Sequence, residues 1–253
     1  MNPVRLLIMA AGLVLVWQGL VWITGAPPYI LPGPVQVARA VHAHPRVLAY
    51  HAGITFVEIL SGLVLGAVVG SGSALSMIAS ARFKRWLLPV LVVSQAVPVF
   101  ALAPLLVLWF GYGMLSKIAM AVLIIYFPVT ATFYDGMRRI DPEWLELARV
   151  MDAVPMAVIR HIRIPGALPA FASGLRVAAA TAPIGAVVGE WVGSSEGLGF
   201  YMLHANARMQ IDVMFAALAV LAVLALSLYF LVDYAMTRIV FWQNEEGKEG
   251  ENP

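Results

Sequence analysis

Six apolar stretches constrain this chain more than any other feature: about residues 6–24, 54–79, 87–110, 115–134, 174–192 and 213–235. Each is near the roughly 20 residues that a helix needs to cross a bilayer. In hydrocarbon the backbone must satisfy its own polar groups, so spans are helices or closed barrels. A barrel would show short alternating strands, and the sequence has no such pattern. Composition agrees: 61% of residues are hydrophobic and 12% charged, where soluble domains have about 45–50% and about 25%. Mean hydropathy is +0.86. The expectation is an all-α, polytopic membrane protein with six transmembrane helices. The first stretch, LLIMAAGLVLVWQGLVWI, exceeds the roughly 7–15-residue core of a signal peptide, so it reads as a retained span. Cysteine is absent, which excludes a disulfide framework and thiolate metal sites.

Charge gives an orientation. With the N-terminus cytoplasmic, twelve Lys and Arg residues fall on the cytoplasmic side and four fall outside: Arg39, Arg46, Lys117 and Arg208. That is a positive-inside pattern, and it places the C-terminus in the cytoplasm too. Basic residues lining membrane edges are not a nucleic-acid footprint. The tail, 239–253, is polar and acidic and is expected to be disordered.

The segment between the fourth and fifth stretches breaks the apolar pattern, and on this orientation it is cytoplasmic. Asp141 suits an N-cap and Pro142 a first helical position. EWLELARVM is a run of good helix formers, with Leu147 and Met151 on one face and Trp144 nearby. Asp152 breaks it. Pro155 starts a second helix, with Val158, Ile159 and Ile162 on one face, and Pro165 and Pro169 are expected to end it. An ordinary amphipathic interfacial loop and a docking lug for another protein both fit.

Here the residues resemble a known motif, the EAA loop of binding-protein-dependent ABC importer permeases. The family pattern is E-A-A, three residues, G, nine residues, I, any residue, L-P. This chain supplies Glu146, Ala148, Ile162 and Pro165 at that spacing and departs at Leu147, Asp152 and Ile164. Asp152 replaces the glycine of the turn, and Asp tolerates left-handed backbone better than most residues. The resemblance covers about 50–240. SQAVPVFALAPLLVLWFGYG (94–113) and LPGPVQV (31–37) resemble the taurine, sulfonate, nitrate and pyrimidine branch. GEWVGSSEGLGFYMLHANARMQIDVMFAAL (189–218) resembles permeases for thiamine-precursor pyrimidines such as hydroxymethylpyrimidine or formylaminopyrimidine.

The resemblance implies a type I importer permease fold, MetI-like, in a bacterial inner membrane. It implies a homodimer that encloses the solute path, a pair of ABC ATPase subunits gripping the loops, and an extracytoplasmic substrate-binding protein. ATP and Mg would be used by the ATPase, with no cofactor on this chain. The expected division is an N-terminal span and extracellular lead-in (1–53), a permease core (54–238) holding the loop at about 141–169, and the tail. The same machine carrying taurine, another alkanesulfonate or another small heterocycle is the alternative.

The chain has no G-x-x-x-x-G-K-[ST] phosphate loop, so energy must come from a partner or an ion gradient. No inverted repeat favours a secondary transporter. Gly62, Gly66 and Gly70 make two G-x-x-x-G steps, read as close helix packing. Pro98 and Pro104 are expected to kink the third span. Glu58, near the outer end of the second span, fits an interfacial position or a working role, and Arg176 and Asp233 are expected near the inner interface. Glu190, with Trp191, is a candidate for the path or outer gate, together with Gln95 and the polar residues Tyr201, His204 and Asn206. A docking surface for the binding protein is the other use of that polar segment. GSSEG (193–197), with His204 and Asp212, matches the G-x-S-x-G hydrolase elbow, but that elbow needs a preceding strand; a membrane-bound serine hydrolase is a remote alternative. His42, His44 and His51 have no zinc-site pattern and are expected as solvated residues of the lead-in.

Overall fold

The computed structural model describes residues 3–242. Most of the tail therefore lies outside the described residues. The elements, all helical, are α1 (Pro3–Thr24), α2 (Pro34–Ala43), α3 (Pro45–Ala79), α4 (Ala81–Ala96), α5 (Val99–Phe110), α6 (Met114–Arg138), α7 (Pro142–Val150), α8 (Pro155–Val158), a π turn (Ile159–Arg163), α9 (Ile164–Gly193), α10 (Leu198–Ala207) and α11 (Ile211–Ile239).

Among the described residues, four helices are long and apolar enough to cross a membrane: α3, α6, the continuous helix Pro155–Gly193, and α11. The third expected span is not straight. It divides into α4 and α5, bent by 106°. The cause is local. Val97 precedes a proline and is pushed to extended backbone, φ −85° and ψ 120°. Pro104 sits inside α5 without ending it. Counting the bent pair as one span gives five, and α1 adds a shorter apolar helix from Ile8 to Thr24.

Three further boundaries differ from expectation. The second span begins at Pro45 rather than near 54, because Pro45 takes the first helical turn and Arg46 and His51 hide the helix from a hydropathy reading. The helix starting at Pro155 does not end at Pro165 or Pro169 but runs into the fifth span. Pro165 cannot donate a backbone hydrogen bond and its ring crowds the preceding turn. The wider π turn just before it, where Ile164 N–H reaches Ile159 C=O, accommodates that irregularity. At the other end, α11 runs to Ile239 and Val240 is buried in the core, so the tail starts later than 239.

The core is organised around α6, which packs along both α3 and α9. Within lipid, helices associate by close packing more than by hydrophobic transfer, so small residues line the contacts. Gly62 faces Ala121 and Gly66 faces Ile125; a Cβ on Gly66 would meet Ile125 Cβ at 2.9 Å. The G-x-x-x-G steps are therefore a packing seam. From α9, a Cβ on Gly185 would meet Ala121 Cα at 2.7 Å. Ile59, Ile125, Ala178 and Ala182 are fully buried between these helices.

Candidate functional site

The chemistry concentrates at the two ends of the α6–α9 pair. At one end lies the segment between those helices. Asp141 caps α7, its Oδ1 accepting from Glu143 N at 3.0 Å, with Pro142 next in line. The helix closes on Asp152, whose φ of 52° is left-handed. Asp152 N–H bonds Arg149 C=O at 3.1 Å and Ala153 N–H bonds Ala148 C=O at 3.0 Å. This is a Schellman closure, with Asp in the position where glycine is usual. The turn of the motif survives the substitution.

The segment is built onto α6 as well as joined to it. Arg163 Nη1 donates to Met137 C=O, 2.8 Å, near the end of α6. Ala148 is buried, while Glu146 and Asp152 are exposed and Ile162 and Pro165 are half-buried. The five motif residues thus occupy one short hairpin. Apolar side chains cover its outside: Val150 is 82% exposed and Met151 72%, beside Trp144 and Leu147. An apolar cleft of about 310 Å³ opens between Trp144, Leu147, Met151 and Ile162. An exposed apolar patch of this kind suits contact with a protein or with a membrane surface.

At the opposite end three ionisable side chains meet inside the bundle. Glu58 of α3, Lys117 of α6 and Glu190 of α9 are 0%, 4% and 1% exposed. Lys117 Nζ pairs with Glu58 Oε1 and donates to Ser194 Oγ at 3.0 Å. The second oxygen of Glu58 has no hydrogen-bond partner among the described residues. Glu190 accepts from Thr55 Oγ1 at 2.6 Å and from Gly199 N–H. Thr55 Oγ1 in turn accepts from Leu198 N–H at 2.8 Å, and His51 Nδ1 accepts from Gly197 N–H at 3.0 Å. Tyr201 stacks on His51, ring centroids 5.0 Å apart. Burial pushes the Tyr201 hydroxyl above its usual pKa, with Arg208 opposing.

Of the residues singled out for a path or gate, Glu190 and Tyr201 share this buried network. Trp191, His204 and Asn206 lie exposed around it, and His204 packs on Phe200. Gln95 does not join them; it is exposed on the last turn of α4, beside the bend. Three expectations are corrected. Glu58 is fully buried rather than interfacial, Lys117, counted with the outside charges, is an internal ion-pair partner, and His51 is a buried acceptor rather than a solvated one. The placement of Glu58, Lys117 and Glu190 near the outer ends of the second, fourth and fifth apolar stretches is the signal that the sequence offers. Arg176 and Asp233 pair with each other, Nε to Oδ1 at 2.6 Å, and so join α9 to α11. The GSSEG stretch is the turn from α9 to α10, with a helix before it. Ser195, His204 and Asp212 share no hydrogen bond among the described residues.

Comparison with known proteins agrees with this layout. Residues 62–241 match the family described as binding-protein-dependent transport system inner membrane component. A probable ABC transporter permease protein of Haemophilus influenzae is 53% identical over 235 residues, covering 93% of this chain and 96% of the relative. The formylaminopyrimidine transport permease protein of Halalkalibacterium halodurans is 34% identical, covering 92% and 94%. The riboflavin transport system permease protein of Chloroflexus aurantiacus is 35% identical, covering 95% and 89%. A chain of the inward-facing MetNI methionine ABC transporter matches in fold with a TM-score of 0.60 at 22% identity, covering 78% of this chain and 94% of that one. The chain therefore belongs to the binding-protein-dependent transport system inner membrane component family, the multi-pass permease subunits of ABC importers, and is a transport subunit rather than an enzyme.

Proposed function

We propose that this permease imports a thiamine-precursor pyrimidine, hydroxymethylpyrimidine or formylaminopyrimidine, as a homodimer driven by a separate pair of ATPase subunits that use ATP and Mg. The observation that carries the substrate is the formylaminopyrimidine permease, similar over 92% of this chain. The riboflavin relative, at 35% identity, supports a second reading within the same class, a larger nitrogen heterocycle. A sulfonate cargo would call for a free cation, and the Lys117 ammonium at the α10 end is already matched by Glu58.

In this reading both termini and the α7–α8 hairpin are cytoplasmic, as the distribution of Lys and Arg supports. The hairpin inserts into the ATPase, with Trp144, Leu147 and Met151 supplying apolar contact and Glu146 the charge on its exposed face. Ala148, Asp152, Ile162 and Pro165 hold its shape. The α10 end, with Trp191, His204 and Asn206, then faces outward and receives the binding protein. ATP-dependent uptake of a labelled aminopyrimidine by cells with and without the gene tests the cargo, with riboflavin and taurine as competitors. Gene-dependent uptake that ignores both supports the pyrimidine. Competition by riboflavin moves the assignment to the larger heterocycle, and competition by taurine to the sulfonates.

A further inference from the structure

The buried network at the α10 end has no role in docking the ATPase, yet its composition is costly. Two carboxylates and one ammonium lie within the bundle, all under 5% exposed. A buried ion pair is often no more stable than apolar residues of the same size, and ionisable groups inside membrane helices mark function. What the network holds is specific. The N–H groups of Gly197, Leu198 and Gly199, at the start of α10, are taken by His51, Thr55 and Glu190 in turn. A helix start is a partial positive charge, and Glu190 meets it with a carboxylate. The fit leaves no room for a side chain: φ at Gly197 is 110°, and a Cβ on Gly199 would meet Glu190 Oε2 at 2.7 Å.

Glu190 belongs to α9, and Lys117, which reaches Ser194, belongs to α6. These are the two helices that flank the α7–α8 hairpin. At their other end Arg163 ties that hairpin to the Met137 carbonyl. Between the two ties the helices are in close contact; a Cβ on Gly185 would meet Ala121 Cα at 2.7 Å, and one on Gly174 the Pro128 carbonyl oxygen at 2.9 Å. The α6–α9 pair is thus a stiff body with the hairpin fastened at one end and α10 at the other.

We propose that Glu190 of α9, with Thr55 of α3 and Lys117 of α6, is the positioning group that fastens α10 to the packed α3, α6 and α9 helices, so that movement imposed on the hairpin is delivered to α10. This rests on the ATPase-docking reading of the hairpin, and co-purification of the unaltered complex with its ATPase tests that reading separately. The chain has no cysteine, so Leu203→Cys, exposed on α10, gives it a single thiol. The rate at which an impermeant maleimide labels that thiol is measured in reconstituted complex, with and without ATP and vanadate. In the parent the rate changes by about fivefold or more, the span of ordinary coupling. Glu190→Gln sets an amide against N–H donors, and Thr55→Val removes a hydroxyl at constant shape. Both abolish the change in complexes that still hold ATPase, while Thr55→Ser keeps it. A parent complex that turns over ATP without a change at this thiol overturns the proposal. So do assembled Glu190→Gln and Thr55→Val complexes that retain the parent's change. If both variants fail to assemble while Thr55→Ser assembles, the network serves folding alone and the proposal falls.

Discussion

The two ends of the α6–α9 pair invert each other. At the hairpin end apolar side chains are on the outside: Val150 and Met151 stand exposed, and the charges of Glu146 and Arg149 lie beside them. At the α10 end charge is on the inside: Glu58, Lys117 and Glu190 are buried, Lys117 pairing with Glu58 and Glu190 with a helix start. An exposed apolar surface awaits a partner. A buried polar network fixes geometry, because its bonds are directional and costly to leave unmade. The first end leaves apolar surface uncovered, and the second holds its own parts in register.

Substitutions can break this contrast. The largest effect is expected at the α10 end. Lys117→Met leaves two buried carboxylates without their cation and costs about 3–5 kcal/mol, as unpairing a buried ion pair does. Thermal unfolding in detergent reads it, and adding Glu58→Met should recover most of the loss. A single variant that unfolds within a degree or two of the parent would mean the pair is not buried as described. At the hairpin end the prediction reverses. Glu146→Arg should leave stability within about 0.5 kcal/mol, as exposed substitutions do, yet abolish co-purification with the ATPase. Normal co-purification would refute the docking reading. Asp152 divides the two behaviours. Asp152→Val places a β-branched residue in left-handed backbone and should cost about 1–2 kcal/mol, weakening the hairpin and the ATPase contact together. Asp152→Gly should keep both, and loss of docking in that variant would show that the carboxylate itself is used. The smallest effect is expected at Ser195: Ser195→Ala should leave uptake unchanged, and a fall in uptake would reopen a chemical role for that turn.

The hairpin end is more legible in the sequence than the α10 end, of which only Glu190 and Tyr201 stand out, for physical reasons. Capping by Asp141, the turn at Asp152 and the start at Pro155 are local events, decided within a few residues of backbone. The apolar spans are local in the same sense. The network joins His51, Thr55, Glu58, Lys117, Glu190 and Gly199, whose meeting depends on which helices are neighbours. A hydropathy window averages one glutamate into its apolar surroundings, so Glu58 read as an interface residue. Pro98 was recognised as a disturbance but not as a 106° bend, since a proline fixes its predecessor's backbone and not the angle at which the next helix packs. Pro165 was overread, because a proline within the first turns after a π turn no longer faces a regular helix.

The π turn also sets a phase. Each residue of a helix advances the side-chain direction by about 100°, and a π turn carries one residue more than regular winding would. Everything from Ile164 to Gly193 is therefore indexed to the hairpin through that single extra position. Removing one residue between Ile159 and Arg163 would keep the helix apolar and long enough to span. It would also swing Gly185 and Gly189 off α6, turn Glu190 away from the start of α10, and leave a well-formed helix facing the wrong neighbours.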